Sequence, residues 1–370
     1  MYQGGMISMK KIEYKPMLIS IILVLLIYYF YTPALNIHAI EFWIFLIVSL
    51  CIYGAASSYS SLIEKEINPK KLGYLGTVVA VIVVGILVTD LFTSKIFHAS
   101  RYASRIEVEN VKFNNKTLHE VDFSKTPIID RKSTVKLGDK VMGEIPEYVS
   151  QFEVSDDYTQ ISYKNSVYRV TPLEYASLFK YLTNSKNGIP AYITVNSTNG
   201  KAEIVKLKDL GLDGMKYVPS AILNHNLNRK LQLSYPTSIF GSPSFEVDEK
   251  GHPWYVCTTY TYFGVGNKKK VTGAVLFDPI TGKSKKYDKD KVPKWVDRVY
   301  PEELIMTEID ENGSLQDGFF NSVLGQKNVT VTSEGYNYLE KDGDIWIYSG
   351  ITSANKDSSN LGFVLSNLRT

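Results

Sequence analysis

Three long apolar runs lie near the N-terminus of this 370-residue chain, and no comparable run follows them. They cover residues 17–35, 37–56 and 72–92, and each is close to the roughly 20 residues that a helix needs to cross a bilayer. We therefore predict a three-helix membrane anchor over residues 1–94, followed by one large water-soluble region. This arrangement is typical of a multi-pass protein of the cell membrane.

The lysines beside these runs predict which side of the membrane the soluble region occupies. They precede the first run and fill the loop after the second, whereas the turn over residues 32–38 has no Lys or Arg. The lysines concerned are Lys10, Lys11, Lys15, Lys65, Lys70 and Lys71. Basic residues in short loops mark the cytoplasmic side, so we predict a cytoplasmic N-terminus and an extracytoplasmic soluble region.

A cleaved signal peptide is the alternative interpretation of the first run. No small-x-small cleavage pattern closes that run, and its end carries an aromatic stretch at residues 28–31. Aromatic side chains favour the membrane–water interface, so we predict that the helix is retained. Met9 is an alternative start to Met1, because residues 3–5 read as an encoded ribosome-binding sequence.

The charge balance argues against nucleic acid as a partner. The chain has 41 basic and 38 acidic residues and a net charge of +3, which is too weak a field for that role. Residues 268–270 and 283–294 are locally basic. We interpret them as solvated loops, with contact to teichoic acid or phospholipid headgroups as the alternative. Cys51 lies in an apolar run and Cys257 in the soluble region, so we expect no disulfide within that region.

A strand–turn–strand pattern recurs along the soluble region. Residues 191–207 and 273–283 each hold an apolar strand, a turn opened by Asn196 or Asp278 and closed by glycine, and the start of a returning strand. Asn and Asp bond the backbone that follows them, and glycine tolerates positive φ. A third copy begins at residue 362, with Asn367 at the matching position. It stops inside its turn, so we expect a truncated third unit whose last strand is an unpaired edge.

Helices are predicted before these strands. Thr171 and Pro172 fit the N-cap and first position of a helix, and prolines open predicted helices over residues 219–233 and 301–311. Helices combined with antiparallel strands indicate the α+β class. The predicted divisions are a juxtamembrane segment over residues 95–150 and three units over residues 151–210, 211–290 and 291–370.

Parts of the soluble region resemble known families. Residues 245–251 and 273–283, with the helix before them, resemble the PepSY module, a small extracytoplasmic α+β unit. Residues 188–192, 292–301 and 335–338 resemble a family of Gram-positive membrane proteins that often carry colicin-V-production or twin-arginine-signal labels. The resemblance covers about residues 130–370 and the membrane segment. It implies PepSY-like repeats that bind or regulate a partner instead of catalysing a reaction.

Residues that could carry catalysis are sparse. The soluble region has His119, His225 and His252, and none of them shows the i, i+4 or Cys–His spacing of a metal site. Residues 281–284 are similar in composition to the end of a phosphate loop, but Phe277 stands where that loop needs glycine. We therefore predict no catalytic residues, no metal and no cofactor.

Two groups of residues are candidate binding sites. The first is aromatic and lies along a predicted strand, where a sheet face of this kind can hold a peptide or a glycan. The second places an acid–base pair among large apolar residues. The first group is Trp254, Tyr255, Tyr260 and Tyr262, and the second is Trp295, Asp297 and Arg298. Core packing is the alternative interpretation of both groups.

The predicted function combines this topology with the recurring hairpins. We predict a membrane-anchored extracytoplasmic module that binds or regulates an envelope protein or a cell-wall polymer. One alternative is an envelope hydrolase with a site around His225 or His252. Another is a subunit of a membrane complex in which the apolar helices do the work.

Overall fold

The computed structural model describes residues 14–63, 69–112, 126–354 and 360–370. Some predictions concern residues outside these ranges, namely both candidate starts, Lys10, Lys11, Lys65 and His119. The helices are α1 (Tyr14–Tyr31), α2 (Ile40–Ile63), α3 (Pro69–Thr93), α4 (Lys95–Ala103), α5 (Arg131–Gly143), α6 (Pro146–Val149), α7 (Leu178–Asn184), α8 (Leu227–Ser234) and α9 (Glu302–Leu315).

The strands form antiparallel sheets. They are β1 (Phe152–Val154), β2 (Thr159–Tyr163), β3 (Ser166–Tyr175), β4 (Ala191–Asn196), β5 (Ala202–Lys206), β6 (Ile239–Phe240), β7 (Ser244–Val247), β8 (Pro253–Thr261), β9 (Lys270–Phe277), β10 (Ser284–Asp288), β11 (Thr330–Thr332), β12 (Asn337–Lys341), β13 (Asp344–Ser353) and β14 (Asn360–Asn367). The predicted α+β class with antiparallel strands is confirmed.

Two N-terminal helices are long and apolar enough to cross a membrane, over Ile40–Tyr59 and Leu72–Thr93. The apolar part of α1, Met17–Tyr31, is shorter. A third crossing therefore stays a prediction. Most of the large apolar side chains of these helices are exposed on the surface of the structure.

The first predicted span, residues 17–35, is too long. The helix α1 ends at Tyr31, because Thr32 has a φ of 42° and Pro33 disfavours helical geometry in the residue before it. The following turn, residues 32–39, leaves the helix bundle and joins the folded region.

That turn is held by bonds that local sequence does not reveal. The backbone N–H of Leu35 donates to the Pro236 carbonyl at 2.7 Å, and the Asn36 amide donates to the Thr237 carbonyl at 2.9 Å. The side chain of Ala39 is buried in a cluster with residues of β6, β8 and β9. The α1–α2 end of the bundle is therefore part of the core of the folded region.

The end of α3 is attached to the same region. The side-chain amide of Asn267 donates to the Asp90 carboxylate at 2.6 Å and to the Thr93 hydroxyl at 2.9 Å. In addition, a ring nitrogen of His38 lies 2.7 Å from the Gly264 carbonyl oxygen. The folded region thus rests on the bundle end formed by the last turns of α1 and α3 and the first turn of α2.

The three sheets share one connectivity. In each sheet two short strands pair with different halves of a long strand, and the long strand also pairs with the strand that follows it. The long strands are β3, β8 and β13, and their short partners are β1 and β2, β6 and β7, and β11 and β12. The strands β5 and β10 extend the first two sheets. In the third sheet β14 pairs with β13.

The predicted hairpin turns form at Asn196 and Asp278, and Asn367 makes the same contact. Each side-chain oxygen accepts from the backbone N–H groups two and three residues later. The distances are 2.9 and 3.1 Å for Asn196, 2.8 and 3.2 Å for Asp278, and 2.7 and 3.2 Å for Asn367. Gly200 and Gly282 follow with φ of 74° and 72°, a region that glycine adopts without strain.

Two predicted helices are wrong in part. Thr171 and Pro172 lie inside β3 and pair with Ile193 and Tyr192, so pairing with β4 overrides the local helix-start pattern. The next helix begins at Leu178 instead.

The predicted helix over residues 219–233 is shorter than expected. It begins at Leu227, where the Asn226 side chain caps it by accepting from the Arg229 N–H at 3.0 Å. Leu223 has a φ of 49°, which interrupts helical geometry upstream. The third predicted helix, over residues 301–311, forms as α9.

The core is divided by the second sheet. On one face of the second sheet, a cluster of buried apolar side chains shared with the first sheet includes Tyr255, Cys257 and Phe277. On the other face, a cluster shared with the turn at residues 32–39 includes Val256 and Leu276. Alternate side chains of a strand point to opposite faces. The second sheet therefore lies between the first sheet and the end of the helix bundle.

We expect Asp278→Ala to lower the thermal midpoint of the detergent-solubilised chain, because the N–H groups of Ile280 and Thr281 lose their acceptor. A cost of about 1–2 kcal/mol corresponds to a fall of roughly 2–8 °C. The matched control is Asp278→Asn, since Asn makes this contact at positions 196 and 367. An equal loss in both variants would instead assign the effect to the contact with His252, whose Nε2 lies 3.4 Å from the Asp278 carboxylate.

Candidate functional site

A cavity of about 610 Å³ lies where α4, the loop over residues 262–269 and α9 meet. It is next to the end of α3, since α4 starts at Lys95 and the Tyr102 hydroxyl donates to the Thr93 carbonyl at 3.0 Å. The charged side chains that line it are Lys95, Arg105, Lys268, Lys269, Glu303 and Glu311. With four cations and two carboxylates, the cavity is positively charged.

Arg105 organises the cavity wall. Its buried guanidinium pairs with Glu308 at 3.0 Å and with Glu311 at 2.6 Å, and it donates to the Lys269 carbonyl at 2.5 Å. Lys95 also pairs with Glu311, at 2.8 Å. These bonds connect α4, α9 and the loop, and two of the five carboxylates of α9, Glu308 and Glu311, neutralise the charges of Arg105 and Lys95. We conclude that these two cations support the wall.

The other two cations of the cavity, Lys268 and Lys269, form no ion pair with a carboxylate of the described residues. In the described part of the chain, no carboxylate oxygen lies within 4.0 Å of either ammonium group. The Lys269 ammonium lies 3.9 Å from the centre of the Tyr260 ring, a cation–π contact, and the more distant carboxylates of Glu303 and Glu41 partly offset its charge.

Both side chains are half-buried, and burial lowers the pKa of each. For Lys268 the positive charges of Arg105 and Arg101 lower the pKa further. The charge of Glu311 raises the pKa of Lys268 and that of Glu303 raises the pKa of Lys269, but both pKa values remain lowered. A bound anion would relieve both effects, because a nearby opposite charge favours the charged form of a lysine. The chemistry of the cavity therefore suits an anionic group such as phosphate, for which lysine is a common ligand.

The predicted aromatic group is split by the structure. Tyr260 lines the cavity, and Tyr262 belongs to the same side of the second sheet. Trp254 is also on that side and packs on Trp295, with ring centres 5.9 Å apart. Tyr255 lies on the opposite face, 2% exposed, and packs in the core. The four rings therefore do not share one surface.

The second predicted group, around Asp297 and Arg298, lies in a buried junction of the three sheets. The carboxylate of Glu246 on β7 accepts from the backbone N–H of Asp297 at 2.9 Å and of Arg298 at 3.2 Å. The carboxylate of Asp297 accepts from the Ser162 N–H on β2 at 2.7 Å. This junction ties the first two sheets to the connection that leads into α9.

The same junction reaches the third sheet. Arg298 donates to Glu302 at 2.8 Å, and the hydroxyl of Tyr338 on β12 donates to Glu302 at 3.1 Å. Burial raises the pKa of Glu246 to about 7. Burial and the neighbouring Glu246 charge raise the pKa of Asp297. Asp297 is 2% exposed, so its carboxylate joins structural elements, whereas the Arg298 side chain is 21% exposed and pairs with Glu302.

The histidines considered for catalysis also have local partners. A ring nitrogen of His225 lies 3.1 Å from the Tyr181 hydroxyl, and His252 lies beside the Asp278 turn. Across the described residues, no group of three or more His, Cys, Asp or Glu side chains is placed to hold a metal ion.

Sequence reasoning missed most of the cavity. It singled out the basic stretch at residues 268–270 and Tyr260, but not Lys95, Arg105 or Glu311. The available signal was the three positive residues that follow the third apolar run, Lys95, Arg101 and Arg105. Their pairing with carboxylates on α9 joins residues about two hundred positions apart, as in the Arg105–Glu311 bond, and no spacing rule reveals such a pair.

Comparison with known proteins adds no relative: no family model, curated protein or solved structure matches the chain. The resemblance to PepSY modules and to Gram-positive membrane proteins therefore stays a prediction.

The two buried carboxyl groups of the junction, Glu246 and Asp297, predict that the stability of the chain depends on pH. Their pKa values are raised in the folded chain, so their contribution is full below the unfolded values near pH 4 and is lost as the pH rises through the folded values, about 7 for Glu246. Asp297→Asn removes one of the two charges and keeps an oxygen for the Ser162 N–H.

We expect this variant to have a higher thermal midpoint than the natural chain at pH 8 and an equal one at pH 4. The exposed carboxylate of Asp290 provides the control, as Asp290→Asn should shift neither value. A loss of stability at pH 8 in Asp297→Asn would show that the Asp297 charge stabilises the junction.

Proposed function

We propose that this chain is a membrane-anchored binding module whose folded region faces the extracytoplasmic side. Its ligand is a phosphate-bearing anionic component of the cell envelope, and the cavity beside α3 is the binding site. The observation that carries the proposal is the pair Lys268 and Lys269, which are half-buried and have no carboxylate oxygen of any described residue within 4.0 Å of their ammonium groups. The sequence predicts an envelope protein or a cell-wall polymer as the partner. We now propose a polymer or lipid that carries phosphodiesters.

The attachment of the folded region to the helices supports this proposal. Asn267, one residue before Lys268, bonds to Asp90 and Thr93 at the end of α3. If α3 crosses the membrane, the two lysines are held at the membrane surface, where teichoic acid and lipid headgroups present their phosphates. A mobile tether would not hold a site at that height.

The sheet connectivity supports internal repetition in the folded region. Three sheets with one connectivity agree with repeated PepSY-like units, and we include this repetition in the proposal. The proposal also keeps two predictions from the sequence, a third membrane crossing by α1 and a Gram-positive origin. Among the alternatives, no observation favours a hydrolase, since His225 and His252 contact structural partners.

Binding can be measured with the full chain in nanodiscs of neutral lipid, using a soluble glycerol-phosphate polymer, inorganic phosphate and nanodiscs that contain phosphatidylglycerol. Lys268→Gln with Lys269→Gln should weaken binding roughly tenfold or more, since a hydrogen bond to a charged group contributes about 1.5–3 kcal/mol. Binding by the natural chain should also weaken with added salt and as the pH rises through the lowered pKa values of these lysines.

The matched control is Lys283→Gln with Lys285→Gln, which removes the same charge from two exposed lysines. Comparison of the polymer and lipid arms identifies the source of the phosphate. Equal binding by both double variants would mean that general surface charge, and not the cavity, attracts the anion.

The sidedness can be tested separately. Alkaline phosphatase fused after Thr370 should be active, because this enzyme requires an oxidising compartment for its disulfides. A fusion of the same enzyme in the loop between α2 and α3 should be inactive. A stable but inactive fusion after Thr370 would place the folded region in the cytoplasm.

A further inference from the structure

An exposed apolar cluster follows α9. It consists of Phe320, Val323 and Leu324, whose exposed fractions are 66%, 55% and 79%, and we call it the α9-end cluster. Two of its members lie in the turn Asn321–Gly325. A group of large apolar side chains this exposed marks a contact surface.

The position of the α9-end cluster is set by its neighbours. Phe319, which immediately precedes the cluster, packs on Tyr102 and Ala103 of α4. The Asn312 amide donates to the Ala103 carbonyl at 2.8 Å. The nine residues of α4 rise only about 13 Å in total, and α4 starts directly after α3. The cluster therefore lies within a short distance of the end of α3.

Apolar side chains also lie on α4, the helix that follows α3. Phe92 in the last turn of α3 stacks on Phe97 of α4, with ring centres 5.6 Å apart, and Phe97 is 55% exposed. Ile96 and Phe319 line the same cavity as the lysines. Apolar side chains of α3 and α4 are thus in contact, and both α4 and the residue before the α9-end cluster contribute apolar lining to the basic cavity.

We propose that the α9-end cluster inserts into the lipid leaflet beside α3 and seats the folded region on the bilayer. This inference rests on the membrane crossing of α3 in the proposed function and does not depend on the ligand of the cavity. Aromatic and leucine side chains next to basic residues are typical of segments that bury an apolar face at the headgroup boundary. The cluster would hold the mouth of the cavity at the level of the headgroups.

The test uses the full chain in proteoliposomes of phosphatidylcholine, whose zwitterionic headgroup carries a phosphate but gives the vesicle no net charge; the lysine variants separate binding of that phosphate from seating. Leu324→Cys and Phe320→Cys are each made in a Cys51→Ser background and labelled with an environment-sensitive fluorophore. The remaining Cys257 is fully buried, which keeps it from the dye. Phosphatidylcholine that carries a nitroxide near the glycerol backbone then serves as the quencher.

The control position is Leu210→Cys. Leu210 is exposed and follows β5 of the first sheet, which packs on the face of the second sheet opposite to the turn at residues 32–39. We expect quenching roughly threefold stronger at positions 320 and 324 than at 210, because an inserted side chain lies about 5–10 Å into the headgroup boundary. Flotation with the vesicles confirms anchoring in each sample.

The outcomes separate the two proposals. If the chain floats with the vesicles but positions 320 and 324 are quenched no more than position 210, the seating is wrong while the anchored module stands. If the chain does not float, both the anchor and the seating are wrong. Loss of polymer binding in the lysine variants with unchanged quenching would leave the seating intact.

Discussion

The architecture depends on the buried Glu246 carboxylate, which accepts the backbone N–H groups of Asp297 and Arg298. A carboxylate with no exposed surface is costly unless hydrogen bonds compensate it, and here the compensating donors come from the connection between the second and third sheets. Asp297 binds the first sheet through Ser162, and Arg298 reaches the third sheet through Glu302. Removing Glu246 would leave two buried donors unpaired, which costs more than the bond itself contributes.

A second constraint places this assembly on the helix bundle. The turn at residues 32–39 is buried against the second sheet, and Asn267 bonds to the end of α3. The folded region is thus attached at two separated points of the bundle end, which restricts rotation about either one. Since the loop that carries Asn267 also carries Lys268 and Lys269, the attachment and the basic cavity share one backbone segment.

The four cations of the cavity fall into two pairs, and in the described part of the chain only one pair is free to contact an anionic ligand. Arg105 and Lys95 are neutralised by carboxylates of α9 and therefore maintain the wall. Within the described residues, Lys268 and Lys269 have no carboxylate oxygen within 4.0 Å, and burial makes their charges unfavourable. The apolar side chains of Ile96 and Phe319 line the same cavity. Cationic and apolar groups in such proximity suit the boundary between lipid and water, where phosphates and hydrocarbon meet.

The sequence alone determined the features that depend on short-range chemistry. Apolar runs predicted the helices α2 and α3, Asn196 and Asp278 predicted their hairpin turns, and the proline and glutamates near residue 301 predicted α9, because each signal acts within a few residues of itself. Only the tertiary structure decided that Thr171 lies in a strand, that Tyr255 and Trp254 face opposite sides of the second sheet, and that Arg105 pairs with Glu311. Those outcomes depend on strand pairing, layer order and ion pairs between distant positions, where the free energy comes from partners that no local pattern names.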